Sequence, residues 1–301
     1  MRRHWQPWRR PRRSRIDHRG RGRDLGQRPR SKPVNEEEPR HATSADGTRI
    51  AYWCAGHGDP ILIVHGLGST HRAYEPLVEE LSKGLMACAM DRRGRGGSGD
   101  TLPYALEREF EDVAAVAEQL GRVVLLGYSF GGPAAIEATR DSDAVRGVIL
   151  FEAWASPLSE IPAEITAGVE HLVSLGRYED AFNFGDSPEE IDQSRQLPDY
   201  AERVSIVHLT PREIHGWERY WQEHPMDDER WGTLDKPVLF LMSDENREGI
   251  LPPAQQLADH LPQATVRILE GIGHRAYREA PDVLAAAIRP CIESLGEPEP
   301  A

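Results

Sequence analysis

The chain has 301 residues, of which 39% are hydrophobic and 28% charged, with 27 Gly and 23 Pro. This composition is typical of a globular protein rich in turns and excludes collagen-like and coiled-coil chains. No apolar run approaches the roughly 18 to 20 residues that cross a bilayer, and the formal net charge of −13 argues against a nucleic-acid enzyme. The three Cys form no zinc-binding spacing and cannot all pair. We therefore expect no disulfide scaffold and a reducing, cytoplasmic location.

The first forty residues differ from the rest of the chain in charge. Between Met1 and Arg40 there are fourteen Arg or Lys against five acidic residues, and the first 33 residues have almost no aliphatic side chains. Such a segment buries too little surface to offset the entropy that ordering costs. We predict that residues 1–40 form a disordered extension. Two other interpretations stay open: a basic arm for nucleic acid, which we disfavour, and a natural start further along, for instance at Val34.

From about residue 41 the sequence predicts alternating strands and helices. Asp46-Gly47 predicts a hairpin, because Gly adopts positive φ at little cost. Continuous apolar runs predict strands that are buried on both faces, and apolar residues spaced three and four apart predict helices. Besides the hairpin strands His41–Ala45 and Arg49–Ala55, the predicted strands are Pro60–Val64, Leu85–Met90, Val123–Leu126, Val145–Phe151, Pro237–Met242 and Thr265–Leu269. The predicted helices are His71–Leu81, Phe110–Leu120, Gly131–Thr139, Pro253–Leu261 and Ala280–Leu295.

This alternation predicts an α/β fold with a mostly parallel sheet, right-handed crossovers and helices on both faces. The alternation stops between residues 155 and 232, where amphipathic stretches and many aromatic residues replace strong strands. We therefore predict an α/β core of residues 41–154 and 233–296. A helical cap of residues 155–232 is inserted after the strand that ends near Phe151, and residues 297–301 form a tail.

The most informative motif is Gly-x-Ser-x-Gly between a predicted strand and a predicted helix, in the segment VVLLGYSFGG of residues 123–132. In this context the motif predicts a nucleophile elbow. The turn is tight enough to force Ser129 into a strained conformation, and Gly127 and Gly131 leave room where a Cβ would collide. The helix that follows directs N–H groups toward the hydroxyl and favours developing negative charge there. Ser129 is therefore the candidate nucleophile.

With this motif the chain resembles the α/β-hydrolase family over about residues 43–295. The resemblance implies an eight-stranded type of sheet. A second match is the loop His65-Gly66-Leu67-Gly68 after a predicted strand. In the family this loop and the residue after the nucleophile supply the oxyanion-hole amides, which implies Leu67 and Phe130 here, with His65 structural.

Two further loops carry the resemblance. Glu270-Gly271-Ile272-Gly273-His274 is similar to the family's histidine loop, which implies that His274 is the general base. Asp91–Gly99, which contains Arg92, Arg93 and Arg95, resembles the family's loop after the next strand. We interpret that loop as structural and keep phosphate binding by its arginines as the alternative.

The third member of the catalytic set departs from the family pattern. Aligned by the strand, the usual acid position falls on Asn246, which cannot carry the charge that stabilises an imidazolium. Some members instead place the acid after the strand that follows the nucleophile helix. There this chain has Glu152, in a segment similar to the Glu-bearing turn of certain haloalkane dehalogenases. A buried unpaired carboxylate is costly, so we favour Glu152 and keep Asp244, next to Glu245, as the alternative acid.

Serine at the elbow, where the family's dehalogenases and epoxide hydrolases have Asp, implies acyl transfer to water. The resemblance implies a hydrolase without cofactor or metal that cleaves an ester, thioester or lactone of a small, partly apolar molecule, with specificity set by the insertion. Two alternatives stay open: a small-molecule receptor with slow or no turnover, suggested by Asn246, and a C–C bond hydrolase or cofactor-free haloperoxidase. We expect a small-molecule substrate as partner and no membrane, whereas the sequence gives no indication of oligomeric state.

Overall fold

The computed structural model describes residues 38–153, 161–224, 228–245 and 247–294. The predicted extension lies outside these ranges except for its last three residues, and the predicted tail lies outside them entirely. None of the helices in these ranges combines the length and the apolar character that a membrane span requires.

Eight strands of the described residues form one sheet in the order β1-β2-β4-β3-β5-β6-β7-β8. The strands are β1 (Arg40–Thr43), β2 (Arg49–Ala55), β3 (Pro60–Val64), β4 (Met86–Met90), β5 (Val123–Tyr128), β6 (Val145–Phe151), β7 (Val238–Ser243) and β8 (Ala264–Leu269). The pairs β1–β2 and β2–β4 are antiparallel, and every other pair is parallel. The predicted α/β fold with a mostly parallel sheet is confirmed.

Helices cover both faces of this sheet. The α-helices of the described residues are α1 (Glu75–Leu81), α2 (Leu106–Leu120), α3 (Gly132–Asp141), α4 (Ala163–Ser174), α5 (Tyr178–Phe182), α6 (Pro188–Arg195), α7 (Tyr200–Ser205), α8 (Thr210–Glu223), α9 (Asp228–Trp231), α10 (Arg247–Asp259), α11 (Ala276–Glu279) and α12 (Pro281–Ser294). Side chains alternate along the strands: Leu62 and Val64 of β3 pack in the core with α2 and α3, whereas Ile61 and Ile63 pack with α1 and α12. This two-sided burial explains the continuous apolar runs of the sequence.

Helices α4 to α9 lie between β6 and β7, where the sequence predicts an insertion. Of these, α8 joins the main core through Trp217, Tyr220 and Trp221. These aromatic side chains therefore attach the inserted helices to the sheet layer that contains α2 and α3. The limits of the cap, residues 155 and 232, remain a prediction.

The sheet contains a disulfide bond, which the sequence analysis did not predict. Cys54 of β2 lies directly opposite Cys88 of β4, and a disulfide joins them across a separation of 34 residues. Cys291 is buried and lies outside this disulfide. The sequence spacing gives no sign of this pair, because only the strand register brings the two residues together. The cytoplasmic expectation, which rested on reduced cysteines, loses that support.

Candidate active site

The backbone turns sharply at Ser129, directly after β5. Ser129 has a φ of 51°, in the left-handed region that side chains other than glycine rarely adopt. A Cβ on Gly131 would lie 2.2 Å from the Val64 carbonyl oxygen, and one on Gly127 would lie 2.8 Å from the Cβ of Ala135. Both glycines are therefore required where the strand enters the helix. The turn leaves Ser129 partly exposed between the buried Tyr128 and Phe130.

The loop after β3 passes directly over this turn. A Cβ on Gly66 would lie 3.0 Å from the Ser129 Cβ and 3.5 Å from its Oγ atom. Leu67 follows Gly66, and Phe130 follows Ser129. The structure therefore brings together the two segments that the sequence predicts to supply oxyanion-hole amides.

His65 fixes the orientation of a peptide group in this loop. Its Nδ1 atom lies 2.9 Å from the Gly66 carbonyl oxygen, and the backbone N–H of Arg92 donates to its Nε2 atom at 3.1 Å. Burial lowers the pKa of His65 well below its ordinary value, so the neutral ring donates from Nδ1 and accepts at Nε2. In a planar trans peptide the Gly66 carbonyl and the Leu67 N–H point in opposite directions. The bond from His65 therefore sets the direction of the Leu67 N–H.

His274 and Glu152 are in direct contact. The Nδ1 atom of His274 lies 2.5 Å from Oε2 of Glu152, whose side chain is fully buried, whereas that of His274 is 40% exposed. The backbone N–H of Ser243 donates to the other carboxylate oxygen at 3.1 Å, and so does the Ser243 hydroxyl. Tyr128 places the loop beside the elbow, since its hydroxyl donates to the His274 carbonyl at 2.5 Å. These bonds hold His274 next to the strand that ends at the elbow.

The alternative acid takes another position. Asp244 is exposed and accepts a hydrogen bond from the Gly271 N–H at 3.0 Å. This bond stabilises the histidine loop on its exposed side. The carboxylate of Glu245 lies against Gly273, and Asn246 lies outside the described residues. The structure therefore brings Glu152, and not Asp244, to the His274 ring.

The Ser129 hydroxyl does not hydrogen-bond to His274: no hydrogen bond of Ser129 Oγ occurs within the described residues. The structure thus joins Glu152 to His274 and places Ser129 beside Gly66. Catalytic hydrogen bonds are often long in ligand-free enzymes and shorten only in the complex with substrate.

The arginines after β4 are paired with carboxylates in the interior. Arg93 donates to both carboxylate oxygens of Asp112 at 2.7 Å and to Asp46 at 2.9 Å. Arg92 donates to Glu109 at 2.5 Å. These bonds favour the structural interpretation of this loop over phosphate binding. No group of three or more potential metal-ligating side chains occurs in the part of the chain that the structure describes.

Several contributors to the site were not predicted from the sequence. Tyr74 receives a hydrogen bond from the Gly66 N–H at 3.3 Å, and Ser243 binds the Glu152 carboxylate. From α8, Glu213 is fully buried and forms ion pairs with Arg92 and Arg95. These residues share no sequence pattern with the motifs: Ser243 and Glu213 contact groups that are distant along the chain, and Tyr74 follows Gly66 by eight positions.

Comparisons with known proteins agree with this fold. The chain is 23% identical over 255 residues to (E)-2-((N-methylformamido)methylene)succinate hydrolase of Acinetobacter baylyi, a match that covers 81% of this chain and 94% of that protein. The crystal structure of an alpha/beta hydrolase from Sphaerobacter thermophilus is 29% identical, with a TM-score of 0.68 over 83% of this chain and 98% of that one. An esterase from Exiguobacterium antarcticum shares the fold at 18% identity, with a TM-score of 0.67 over 84% of this chain and 98% of that one. The sequence profile of the alpha/beta hydrolase family matches residues 61–287, and the chain belongs to this family.

Proposed function

We propose that the protein is a serine hydrolase that cleaves an ester, thioester or lactone of a small, partly apolar substrate through an acyl-enzyme on Ser129. The observation that carries the proposal is the hydrogen bond from His274 to the buried Glu152 carboxylate, in a loop held to the residue before Ser129. A buried carboxylate on Nδ1 fixes the ring tautomer that leaves Nε2 free to accept a proton, and it stabilises the imidazolium that follows.

The acylation step uses the residues at the elbow. The Ser129 Oγ atom attacks the substrate carbonyl carbon while the His274 imidazole takes the hydroxyl proton. The carbonyl π electrons move to oxygen, and the Leu67 and Phe130 N–H groups stabilise the resulting oxyanion. The intermediate collapses, the bond to the alcohol or thiol breaks, and His274 returns the proton to this leaving group.

Deacylation repeats the same proton transfers with water. The His274 imidazole removes a proton from water, the hydroxide attacks the acyl carbon, and the oxyanion forms again between the same two amides. Collapse breaks the bond to Ser129, and His274 returns the proton to its Oγ atom. The products are a carboxylic acid and an alcohol or thiol, or a hydroxy acid when the substrate is a lactone.

The contact between Glu152 and His274 supports turnover over binding alone. The receptor alternative rested on the lack of a carboxylate at Asn246, and Glu152 supplies one to His274 from another strand. The C–C hydrolase and haloperoxidase alternatives would use the same serine and histidine. No residue contact in the described ranges favours them over hydrolysis of an activated acyl group.

The test is hydrolysis of p-nitrophenyl acetate and butyrate by the full chain. We expect saturable turnover that falls by at least a thousandfold in Ser129→Ala, because the nucleophile is lost. Ser174→Ala, which removes an exposed hydroxyl on α4, is the matched control and should retain wild-type turnover. A fluorophosphonate should label a peptide that contains Ser129. Equal turnover in wild type and Ser129→Ala would refute the proposal, and specific ligand binding without turnover would support a receptor.

A further inference from the structure

Helix α7 and the residue before it contact the loop that carries Leu67 and helix α11, which follows the histidine loop. Asp199, directly before the helix, accepts a hydrogen bond from Arg278 at 2.7 Å, and Arg278 lies in α11, four residues after His274. Glu202 lies 3.5 Å from Arg72 in an ion pair. Arg203 donates from its Nε atom to the Gly68 carbonyl oxygen at 2.9 Å. A short inserted helix thus reaches the loop that carries Leu67, and the residue before this helix binds the helix that follows the histidine loop.

The contact from Arg203 is specific in its geometry. Its guanidinium carbon lies 4.9 Å from the centre of the Phe182 ring, and the same ring lies 3.9 Å from where a Gly68 Cβ would be. A cation above an aromatic face is held in place by the ring quadrupole. Phe182 therefore supports both partners of the Arg203–Gly68 hydrogen bond.

The loop that carries Leu67 is fixed on both sides of that residue. Before Leu67, the Gly66 N–H donates to the Tyr74 hydroxyl and the Gly66 carbonyl accepts from His65. After Leu67, Gly68 has a φ of 56°, a conformation that glycine reaches freely and also leaves freely. Within the described residues, the side chain that holds the Gly68 carbonyl comes from the inserted helices, not from the sheet core.

We propose that Arg203 is a positioning residue for the hydrolysis. By holding the Gly68 carbonyl it keeps the loop closed over Ser129, with the Leu67 N–H directed at the oxyanion. The proposal rests on the proposed function, because it assigns Arg203 an effect on the transition state. The proposal also gives α7 a role beyond covering the site, because the oxyanion hole then forms fully only when this helix is docked.

Steady-state kinetics of Arg203→Gln, Arg203→Lys and the control Arg72→Gln with p-nitrophenyl butyrate test the effect on turnover. Removal of a whole oxyanion donor costs about 10²–10³ in kcat, so misdirecting one donor in Arg203→Gln should lower kcat by about tenfold with KM changed less than twofold. Binding of an alkyl boronic acid, whose adduct places a negative oxygen in the hole, should weaken by a similar factor. Arg72→Gln removes another α7 ion pair without touching Gly68 and should stay within twofold of wild type.

Three kinetic results would overturn the proposal. A raised KM with unchanged kcat would make Arg203 a substrate-binding residue, and an equal loss in Arg72→Gln would indicate general docking of α7. An unchanged kcat in Arg203→Gln would show that the bond to the Gly68 carbonyl does not position the oxyanion hole. An Arg203→Lys variant below wild type supports a requirement for the guanidinium geometry.

Amide hydrogen exchange separates this proposal from the proposed function. Arg203→Gln should increase exchange in peptides that span residues 65–70, whereas Arg72→Gln should leave it unchanged. This measurement needs no turnover. If the wild type shows no Ser129-dependent hydrolysis, the function is wrong, but the exchange data still decide whether Arg203 holds the loop. Unchanged exchange in Arg203→Gln overturns the positioning proposal, whatever the activity.

Discussion

Glu152 and His274 are separated by 122 positions in the chain, yet Oε2 of one lies 2.5 Å from Nδ1 of the other. The sheet order explains how this contact arises. Glu152 follows β6, the direct neighbour of β5, whereas Asp244 follows β7, one strand further from Ser129. Because the carboxyl ends of parallel strands share one edge of the sheet, an acid after β6 can lie beneath a histidine that projects over that edge. Ser243 at the end of β7 then serves as a hydrogen-bond donor to the acid.

The first prediction separates the two candidate acids. Glu152→Gln should lower kcat for p-nitrophenyl butyrate by two or more orders of magnitude, because a neutral amide neither fixes the tautomer nor stabilises the imidazolium. Asp244→Asn should change kcat by less than about fivefold, since Asp244 only accepts a bond from the Gly271 N–H.

Thermal unfolding of both variants is the control for this comparison. Glu152 is buried with several donors, so a loss of Tm in Glu152→Gln is expected, and kcat should be measured well below the transition. A large loss of activity in Asp244→Asn with activity retained in Glu152→Gln would assign the acid to Asp244.

The strands were the most predictable part of the fold. The bounds of β3 and β6 match the predicted Pro60–Val64 and Val145–Phe151, because strands buried on both faces appear as uninterrupted apolar runs. Helix α2 starts at Leu106 and not at the predicted Phe110. The first turns of α2 include Glu109, which is buried in an ion pair with Arg92. A search for spaced apolar residues misses this position because its side chain is charged.

The features that could not be predicted from the sequence share one physical origin. The choice between Glu152 and Asp244 depends on which strand neighbours β5, and the Cys54–Cys88 bond depends on strand register. Both are tertiary relationships that local sequence does not encode. Ser129 and His274 were found because the turns that hold them have their own glycine patterns, and their roles in catalysis stay predictions.

The second prediction concerns the space at the elbow. Gly131→Ala places a Cβ 2.2 Å from the Val64 carbonyl oxygen and 2.7 Å from that of His65, and neither backbone atom can move without shifting β3. We expect a loss of soluble protein or a large fall in Tm, together with slower fluorophosphonate labelling of Ser129. The matched control is Gly84→Ala, since a Cβ on Gly84 meets nothing within 4 Å. Similar Tm values for the two variants would show that the elbow tolerates the extra atom.

The third prediction tests the buried charges that connect α8 to the loop after β4. Glu213 forms ion pairs with Arg92 and Arg95, all almost fully buried. Burial and the nearby Arg92 lower the pKa of Arg95 to about 9, so Arg95 retains its charge at neutral pH. Glu213→Gln leaves these guanidinium groups short of a carboxylate and should cost about 3 kcal/mol or more, a fall in Tm of roughly 6 °C or more.

The control for this prediction is an ion pair that also joins α8 to the same loop region but is partly exposed. Arg212 lies 2.7 Å from Asp100, with side-chain exposures of 22% and 30%. Partly exposed pairs contribute little, so Arg212→Gln should shift Tm by less than about 3 °C. If Glu213→Gln shifts Tm no more than Arg212→Gln does, removal of Glu213 does not leave a costly uncompensated charge in the interior, and the prediction is wrong.

The fourth prediction concerns pH and His65. Its pKa in the folded protein is held below the ordinary value of 6.5 by burial and the nearby arginines. Below that pH the unfolded chain binds a proton that the folded protein does not. The contribution of His65 to the free energy of unfolding is therefore fully present above pH 6.5. It is lost as the pH falls, with a slope of up to about 1.4 kcal/mol per pH unit.

Urea unfolding between pH 8 and pH 5 measures this dependence. His65→Asn should be less stable than wild type at pH 8, because it loses a buried hydrogen bond, and its stability should fall less steeply toward pH 5. His57→Asn, at an exposed position, should keep the wild-type slope. Parallel curves for wild type and His65→Asn would show that His65 is protonated in the folded state as well.

The fifth prediction concerns the bond between β2 and β4. Because Cys54 and Cys88 are joined and Cys291 lies outside this disulfide, denatured but unreduced protein should show one reactive thiol, and reduced protein three. Closing a loop of 34 residues restricts the unfolded chain, so the Cys54→Ala, Cys88→Ala double variant should lose about 2–4 kcal/mol of unfolding free energy. Cys291→Ala removes only a buried thiol and should keep the disulfide-dependent part of this stability. Three reactive thiols before reduction would show that Cys54 and Cys88 are not bonded in the protein as purified. The unfolding free energy of the double variant should then match that of wild type to within about 1 kcal/mol, because only two packed sulfur atoms are lost.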